Sequence, residues 1–344
     1  MANKFFRMMS VFLLIILIIG CSKKENTQNA ASIDTSKLQS VNMSGQKVFL
    51  KYQFKKNDKL RYKLTTITNT LQTVKADTLM KSTADQTLTY NFDIEIMEVD
   101  QDNVAELSIN ISSISFNGNI NGEKINYDSK ATLSKADKDK FGEFEVIVNS
   151  PFRARVNQKG EVLEVTRIDK MVDKMIALRP EMQKMAADQK VALIKNISEG
   201  EIRPRTQLLF RELTTNEVAK DSSWQLSSPA TIAVFQIENI SKFKVEDFVK
   251  VGDDKAAKLS ASLTSKWTGN KKGSQEGMNF LFDDPKISGG GTILFNIDKG
   301  LIIRSETSTT VEMGVQVDGK DAAQKMRHTL RKDLSKNKNI VELL

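Results

Sequence analysis

Between Leu88 and Ile96 every second residue is large and apolar: Leu88, Tyr90, Phe92, Ile94 and Ile96 alternate with Thr89, Asn91, Asp93 and Glu95. A period of two belongs to a β-strand, whose side chains point in turn to opposite faces. Such strict alternation calls for a sheet with one dry face and one wet face, the habit of antiparallel sheets. The same rhythm recurs nearby. Val48, Leu50, Tyr52 and Phe54 alternate (Phe49 faces the other way), a polar stretch 55–58 follows, and Leu60, Tyr62 and Leu64 alternate again, which predicts a hairpin. Further hairpins are predicted to turn at Asp100–Asn103, Asn157–Gly160 and Asp298–Gly300, with Gly160 suited to a positive φ. This spacing points to antiparallel meanders rather than βαβ units.

The rhythm changes from Ile168 to about Leu213. Met171, Met175 and Leu178 recur at helical spacing, as do Met182, Met185, Val191 and Ile194, while Pro180 and Pro204 suit first-turn positions. Two or three amphipathic helices are therefore expected between two groups of strands. A methionine stripe can act as an adaptable binding surface, and ordinary packing on the sheet uses the same stripe. At the C-terminus Ala322, Met326, Leu330 and Leu334 recur every four residues, which fits one face of a helix or of a strand. The fold class is thus α+β and mainly antiparallel β. A single domain over 47–344 comprises strands 47–166, a helical segment 167–216, strands 222–318 and a C-terminal helix or strand 319–344.

The two strand groups share a short likeness. Residues 99–113 align without gaps to 251–265, and Val99, Asp102, Ala105, Leu107, Ser108 and Ser113 match Val251, Asp254, Ala257, Leu259, Ser260 and Ser265. In both copies a hairpin ending in glycine follows downstream. Internal duplication and convergent hairpin chemistry both account for this.

The N-terminus is of another kind. Lys4 and Arg7 precede nine apolar residues, Val11 to Ile19. That run is too short for a bilayer-spanning helix, which needs roughly 20 residues, and reads as a secretory signal peptide over 1–20. The single cysteine of the chain, Cys21, follows at once. Ile18-Ile19-Gly20-Cys21 resembles the lipobox of bacterial lipoproteins: an aliphatic residue, a small or aliphatic one, Gly or Ala, then the lipidated Cys. The resemblance implies cleavage between Gly20 and Cys21 and acylation of the Cys21 thiol. Two or three acyl chains anchor stably where one binds only marginally. It implies further that Ser22, standing where Asp would favour inner-membrane retention, directs the protein to the outer membrane of a Gram-negative bacterium, with periplasmic face or cell surface left open. Residues 21–46, polar and without aromatics, read as a lipidated flexible tether with a reach on the order of 25–30 Å.

Charge and chemistry exclude more than they assign. Without Lys4 and Arg7 the 51 basic residues become 49 against 43 acidic ones, mixed along the chain. Nucleic-acid binding would call for a concentrated basic face with stacking aromatics, and none is visible. His328 is the single histidine, with no motif partner, so zinc sites and Ser–His–Asp chemistry are starved. Asp253-Asp254 and Asp283-Asp284 offer paired acids for glycoside hydrolysis or calcium, but sit where turns are expected. Gly289, Gly290 and Gly291 precede a strand rather than a helix, so they bend or turn a sheet instead of cradling phosphate. No catalytic, metal or cofactor-binding residue is assigned, and no enzyme activity is expected.

The order of elements loosely resembles envelope lipoprotein carriers of the LolA/LolB type, and tethered envelope lipoproteins of unknown function, with FKKNDKLRYKLT near the mature start and DSSWQLS after the helices. That likeness implies a curved sheet or incomplete barrel with helices on its apolar face and an acyl-chain cavity between them. From it only Cys21 carries a role. The leading expectation is a non-enzymatic lipoprotein holding an amphiphile, or an envelope protein partner, against the dry face, with the membrane as partner through its lipid. A structural or interaction lipoprotein with a filled core is the alternative, and a carboxylate-dependent hydrolase the third.

Overall fold

The computed structural model describes residues 37–232, 234–275, 277–320 and 326–344; Gly20, Cys21 and the proposed signal segment lie outside them. The strands of the first group are β1 (Val48–Phe49), β2 (Lys59–Lys75), β3 (Leu79–Val99), β4 (Ala105–Ile120), β5 (Glu123–Asp128), β6 (Phe152–Val156) and β7 (Val162–Thr166). The second group holds β8 (Glu217–Val218), β9 (Ser223–Ile232), β10 (Phe235–Val251), β11 (Asp254–Thr268), β12 (Lys272–Gln275), β13 (Met278–Phe282), β14 (Lys286–Asn296), β15 (Leu301–Lys320) and β16 (Met326–Leu343). Fourteen of them build one curved, open antiparallel sheet in the order β7-β6-β4-β3-β2-β16-β15-β14-β11-β10-β9, with β5 and the β12–β13 hairpin as side branches. The C-terminal ambiguity resolves to a strand. β16 fills the gap between β2 and β15, and a helix there would leave two long edges without hydrogen-bond partners.

The order holds a repeat. Reading from one edge, β7-β6-β4-β3-β2 is followed, after β16, by β15-β14-β11-β10-β9. Every neighbouring pair is antiparallel, so corresponding strands also run in the same direction. In each copy an insertion follows the third strand, and a hairpin ending in a left-handed glycine, Gly160 (φ 86°) or Gly300 (φ 63°), closes the unit. The matched stretches 99–113 and 251–265 occupy equivalent turns and strands, with Ala105, Leu107, Ala257 and Leu259 all fully buried.

Two departures from the sequence reading have clear causes. The hairpin expected over 48–64 does not form: β1 pairs with β8, and Leu50–Phe54 is held outside the sheet. Its backbone is claimed by the two equivalent turns instead. Tyr52 N–H donates to Gln158 O (2.8 Å), and Gln53 N–H donates to Gly300 O (3.2 Å). Alternation along 48–54 therefore reflects burial beneath those turns. Second, the tract expected to be all strand contains two helices, α1 (Lys135–Lys140) and α2 (Gly142–Ile147). Ser134 caps the first by accepting from Asp137 N–H, and Phe141 and Phe144 pack on Tyr127 at 4.8 and 5.1 Å between ring centroids. The Ser-x-x-Asp cap was legible; its competitor was the strand-rich context.

The expected helical insertion is present. It comprises α3 (Asp169–Leu178), a 3₁₀ turn (Pro180–Lys184), α4 (Ala187–Lys195), a π-helical stretch (Asn196–Ile202) and α5 (Arg203–Leu209). Met171 and Val172 are fully buried and Met175 packs against the core, whereas Leu178 and Val191 are exposed. The first part of the methionine stripe, Met171 and Met175, is thus packing, while Met182 and Met185 are half-buried. The folded body also starts earlier than Lys47: Ser40 bridges to Val249, Val41 N–H donates to Phe248 O (2.7 Å), and Leu38 caps a small outer cluster of Val249, Ala256 and Leu294.

Under the helices the core is dense. Tyr52 stacks on Phe54 and meets Phe210 and Phe295 edge-on at 5.8 and 5.4 Å, and Tyr62 also packs on Phe210. Both tyrosine hydroxyls are satisfied, Tyr52 by Arg211 O and Tyr62 by Ile302 O, so the polar tips are buried without an orphan donor.

Candidate functional site

Strand parity and register define which residues share the face on which the helices lie, here the inner face. One lateral row of it runs Val245, Leu259, Ile293, Ser305, Val341 and Leu64 across β10 to β2, every member fully buried. The next row runs Trp224, Phe243, Ala261, Gly291, Thr307 and Asn339, and here burial begins to fail. Beyond it the row Leu226, Ser241, Leu263, Gly289, Thr309 and Asn337 is half-buried throughout. The strands continue past the helical cover, so one face of one sheet has a packed half and an open half.

The open half is amphiphilic in its layout. On β9 to β15 it presents Leu226, Leu263, Trp267, Ile287, Val311 and Met313, all half-buried. Its far end is closed by Phe235, which meets Trp267 and Phe282 edge-on at 5.1 and 5.9 Å. Gly289 and Gly291 leave the floor between β11 and β15 without side chains. Alongside lies a polar seam between β2 and β16: Thr66 with Asn339 (2.9 Å), Thr68 with Asn337 (2.8 Å), and Gln72 and Arg331 both donating to Asp333. Apolar floor and polar flank together form a surface that neither water nor hydrocarbon alone satisfies.

The outer face differs in its electrostatics. Over Gly290 and Thr292 a groove of about 240 Å³ is rimmed by Arg304, Glu306 and Lys338. There the charges cancel: Arg304 pairs with Glu306 (3.0 Å) and Glu342, and Lys338 with Glu306 (2.6 Å). Lys338, and then Arg304, hold the Glu306 carboxyl below its ordinary range against the opposing effect of burial.

The candidate residues read from sequence scatter. His328 is exposed on β16, 2.5 Å from Asp318. Asp253 is fully exposed in a turn, while Asp254 pairs with Lys299 (2.7 Å) and accepts from Asn296. Asp284 pairs with Lys271 (2.7 Å), and Asp283 lies against Gly314 at the other end of β14. Asn296 and Lys286 mark those two ends, roughly 33 Å apart at a strand's rise, so the acid pairs do not converge. Gly289–Gly291 lie within β14, as a sheet-bending role requires. Among the described residues no group of three or more His, Cys, Asp or Glu gathers for a metal, and no helix is long and apolar enough to cross a membrane. Arg211, which sequence reasoning passed over, is a cation on the inner face that, unlike Arg331 with Asp333, has no carboxylate beside it among the described residues.

Comparison with known proteins adds a family but no activity. No curated protein matches the chain. A lipovitellin structure, described by its lipid–protein interactions, superposes with a TM-score of 0.42 at 10% identity; the match covers 85% of this chain, which spans only 25% of that one. An outer membrane channel from Pseudomonas putida F1 gives 0.21 at 7% identity, covering 85% and 97% of the two chains. Likeness at that level is no guide to what this chain binds. A family model does match, over residues 102–302, and by it the chain belongs to DUF6263, a family of unknown function.

Proposed function

We propose that this protein is an exported, lipid-anchored binding module of a Gram-negative outer membrane, without catalytic activity, that holds an amphiphile on the open half of its inner face. The observation that carries it is the pairing of an uncovered apolar floor with a hydrogen-bonded polar seam on one face. The site differs from the cavity expected beneath the helices, because Phe210, Tyr52 and Tyr62 fill that space. The same filled core favours the second reading, an interaction lipoprotein whose open half receives an envelope protein.

Both tryptophans of the chain, Trp224 and Trp267, lie on this face, so their emission reports on it. The acylated full chain, kept in amphipol, is titrated with a fatty acid brominated near its far end. Saturable quenching that is mostly lost in Trp267→Phe is expected. Quenching that does not saturate, or that survives Trp267→Phe unchanged, defeats the amphiphile reading. Intact mass of the N-terminal peptide tests the anchor: acylated Cys21 is expected, and an unmodified thiol overturns it.

A further inference from the structure

The helical insertion ends by sending an arginine onto the inner face. Arg211 follows α5 and Phe210, its carbonyl accepts from the Tyr52 hydroxyl (3.1 Å), and its Nη2 donates to Thr307 Oγ1 (2.8 Å). Its Nε is buried and has no partner. No carboxylate pairs with it among the described residues: neighbouring Glu212 is taken by Lys159 at 3.1 Å. Every charged group of the outer groove is compensated, and this one is not. Burial depresses the Arg211 pKa, yet a guanidinium stays charged in a protein. A buried cation without a counter-charge is costly, and persists where something else supplies the anion.

Its position says where that anion comes from. Thr307 belongs to the row at which the packed half gives way to the open half, beside the bare floor of Gly291. Ser305, two residues back on the same face, has a buried hydroxyl that is also without a partner. Toward the open end, Val311, Met313 and Val315 continue the apolar line along β15. The six steps from Thr307 to Met313 span about 20 Å at a strand's rise. One acyl chain covers about 15 Å, half of the hydrocarbon thickness of a bilayer.

We infer that Arg211 receives the anionic head of an acyl-chain ligand, a carboxylate or a phosphate, whose tail runs over the open half toward Trp267. This rests on the reading that the inner face holds an amphiphile. Thr307 acts as a positioning residue that fixes the guanidinium plane, and the unpartnered Nε and Ser305 hydroxyl are the donors left for the head.

The test compares a brominated fatty acid with its methyl ester on the full chain, by tryptophan quenching. Binding of the acid at least ten-fold tighter than the ester, about 1.4 kcal/mol, is expected. Arg211→Gln should erase that preference and leave ester affinity unchanged, with Arg211→Lys retaining part of it. Equal affinity for acid and ester in the unaltered chain, or equal weakening of both in Arg211→Gln, overturns the role of Arg211 while the amphiphile reading stands. Failure of both ligands to quench overturns both. Brominated phosphatidylglycerol against phosphatidylcholine separates a phospholipid head from a free fatty acid. Thermal stabilisation by inorganic phosphate alone, dependent on Arg211 and without acyl quenching, defeats the acyl part. Should Arg211→Gln fail to fold, Thr307→Val is expected to cut the acid preference several-fold, and an unchanged preference there counts against the proposal.

Discussion

The strand β2 crosses both halves of the inner face, and its side chains change character as it does so. Tyr62 and Leu64 are fully buried in the core; Thr66, Thr68, Thr70 and Gln72 continue the same parity, half-buried, and Thr66, Thr68 and Gln72 hydrogen-bond to β16 side chains. The backbone and its ladder are continuous across the change. What differs is whether a second layer exists. Sheet formation alone therefore does not decide where the core is; the helices and the threaded segment Leu50–Phe54 decide it, and they cover only one half.

The largest effect expected from breaking this contrast is at Phe210. Its ring is fully buried against Tyr52, Phe54 and Tyr62, so Phe210→Ala should cost about 3–5 kcal/mol in chemical denaturation. Leu263→Ala, on the same face in the open half, should cost within about 1 kcal/mol. Comparable losses at the two sites would mean that the open half is packed as tightly as the covered one.

A sharper version compares two glycines that share a left-handed conformation. Gly160 (φ 86°) and Gly122 (φ 92°) both exclude a side chain on backbone grounds, at about 1–2 kcal/mol each. A Cβ on Gly160 would lie 2.4 Å from Tyr52 Cε2 and 2.5 Å from Arg211 O, whereas one on Gly122 would meet nothing within 4 Å. Gly160→Ala should therefore exceed Gly122→Ala by about 1–3 kcal/mol, the cost of overpacking. Equal costs would show that the turn at Gly160 does not clamp the threaded segment.

These glycines also mark the limits of sequence reading. Local alternation placed β3, β4 and the turns at Asn103, Gly160 and Gly300 correctly, because each depends on neighbours in sequence. The partner of Leu50–Phe54 was not legible: period two records burial on one side, and burial under two distant turns writes the same pattern as a strand. Likewise β16 became a strand because it fills the place between β15 and β2, and the β2 half of that demand is set more than 200 residues away. The open half hid for a related reason. Its residues alternate apolar with polar just as core strands do, and nothing local says that the helices stop short. Arg211 hid too, since an arginine becomes a site only when its counter-charge is missing. The reading of Cys21 rests on the opposite kind of signal, a contiguous one, and falls outside the described residues.

The smallest effect separates the faces by charge. Glu306 on the outer face is held by Lys338 and Arg304, so its pKa is lower folded than unfolded. A depressed carboxylate contributes stability that is fully present above its unfolded pKa, about 4.3, and lost as pH falls through the folded value. The carboxylate is over a third exposed, so solvent screening keeps the contribution under about 1 kcal/mol. Glu306→Gln should then lower stability at neutral pH by up to that amount, leave stability at low pH nearly unaffected, and so flatten part of the acid limb of a stability–pH curve. Arg211 supplies no such limb, because its guanidinium keeps its proton throughout the accessible range. Relief of the uncompensated charge should appear instead as equal or higher thermal stability of Arg211→Gln across the whole pH range. A pH-independent loss of stability in that variant would mean that the contact with Thr307 outweighs the cost of the bare charge.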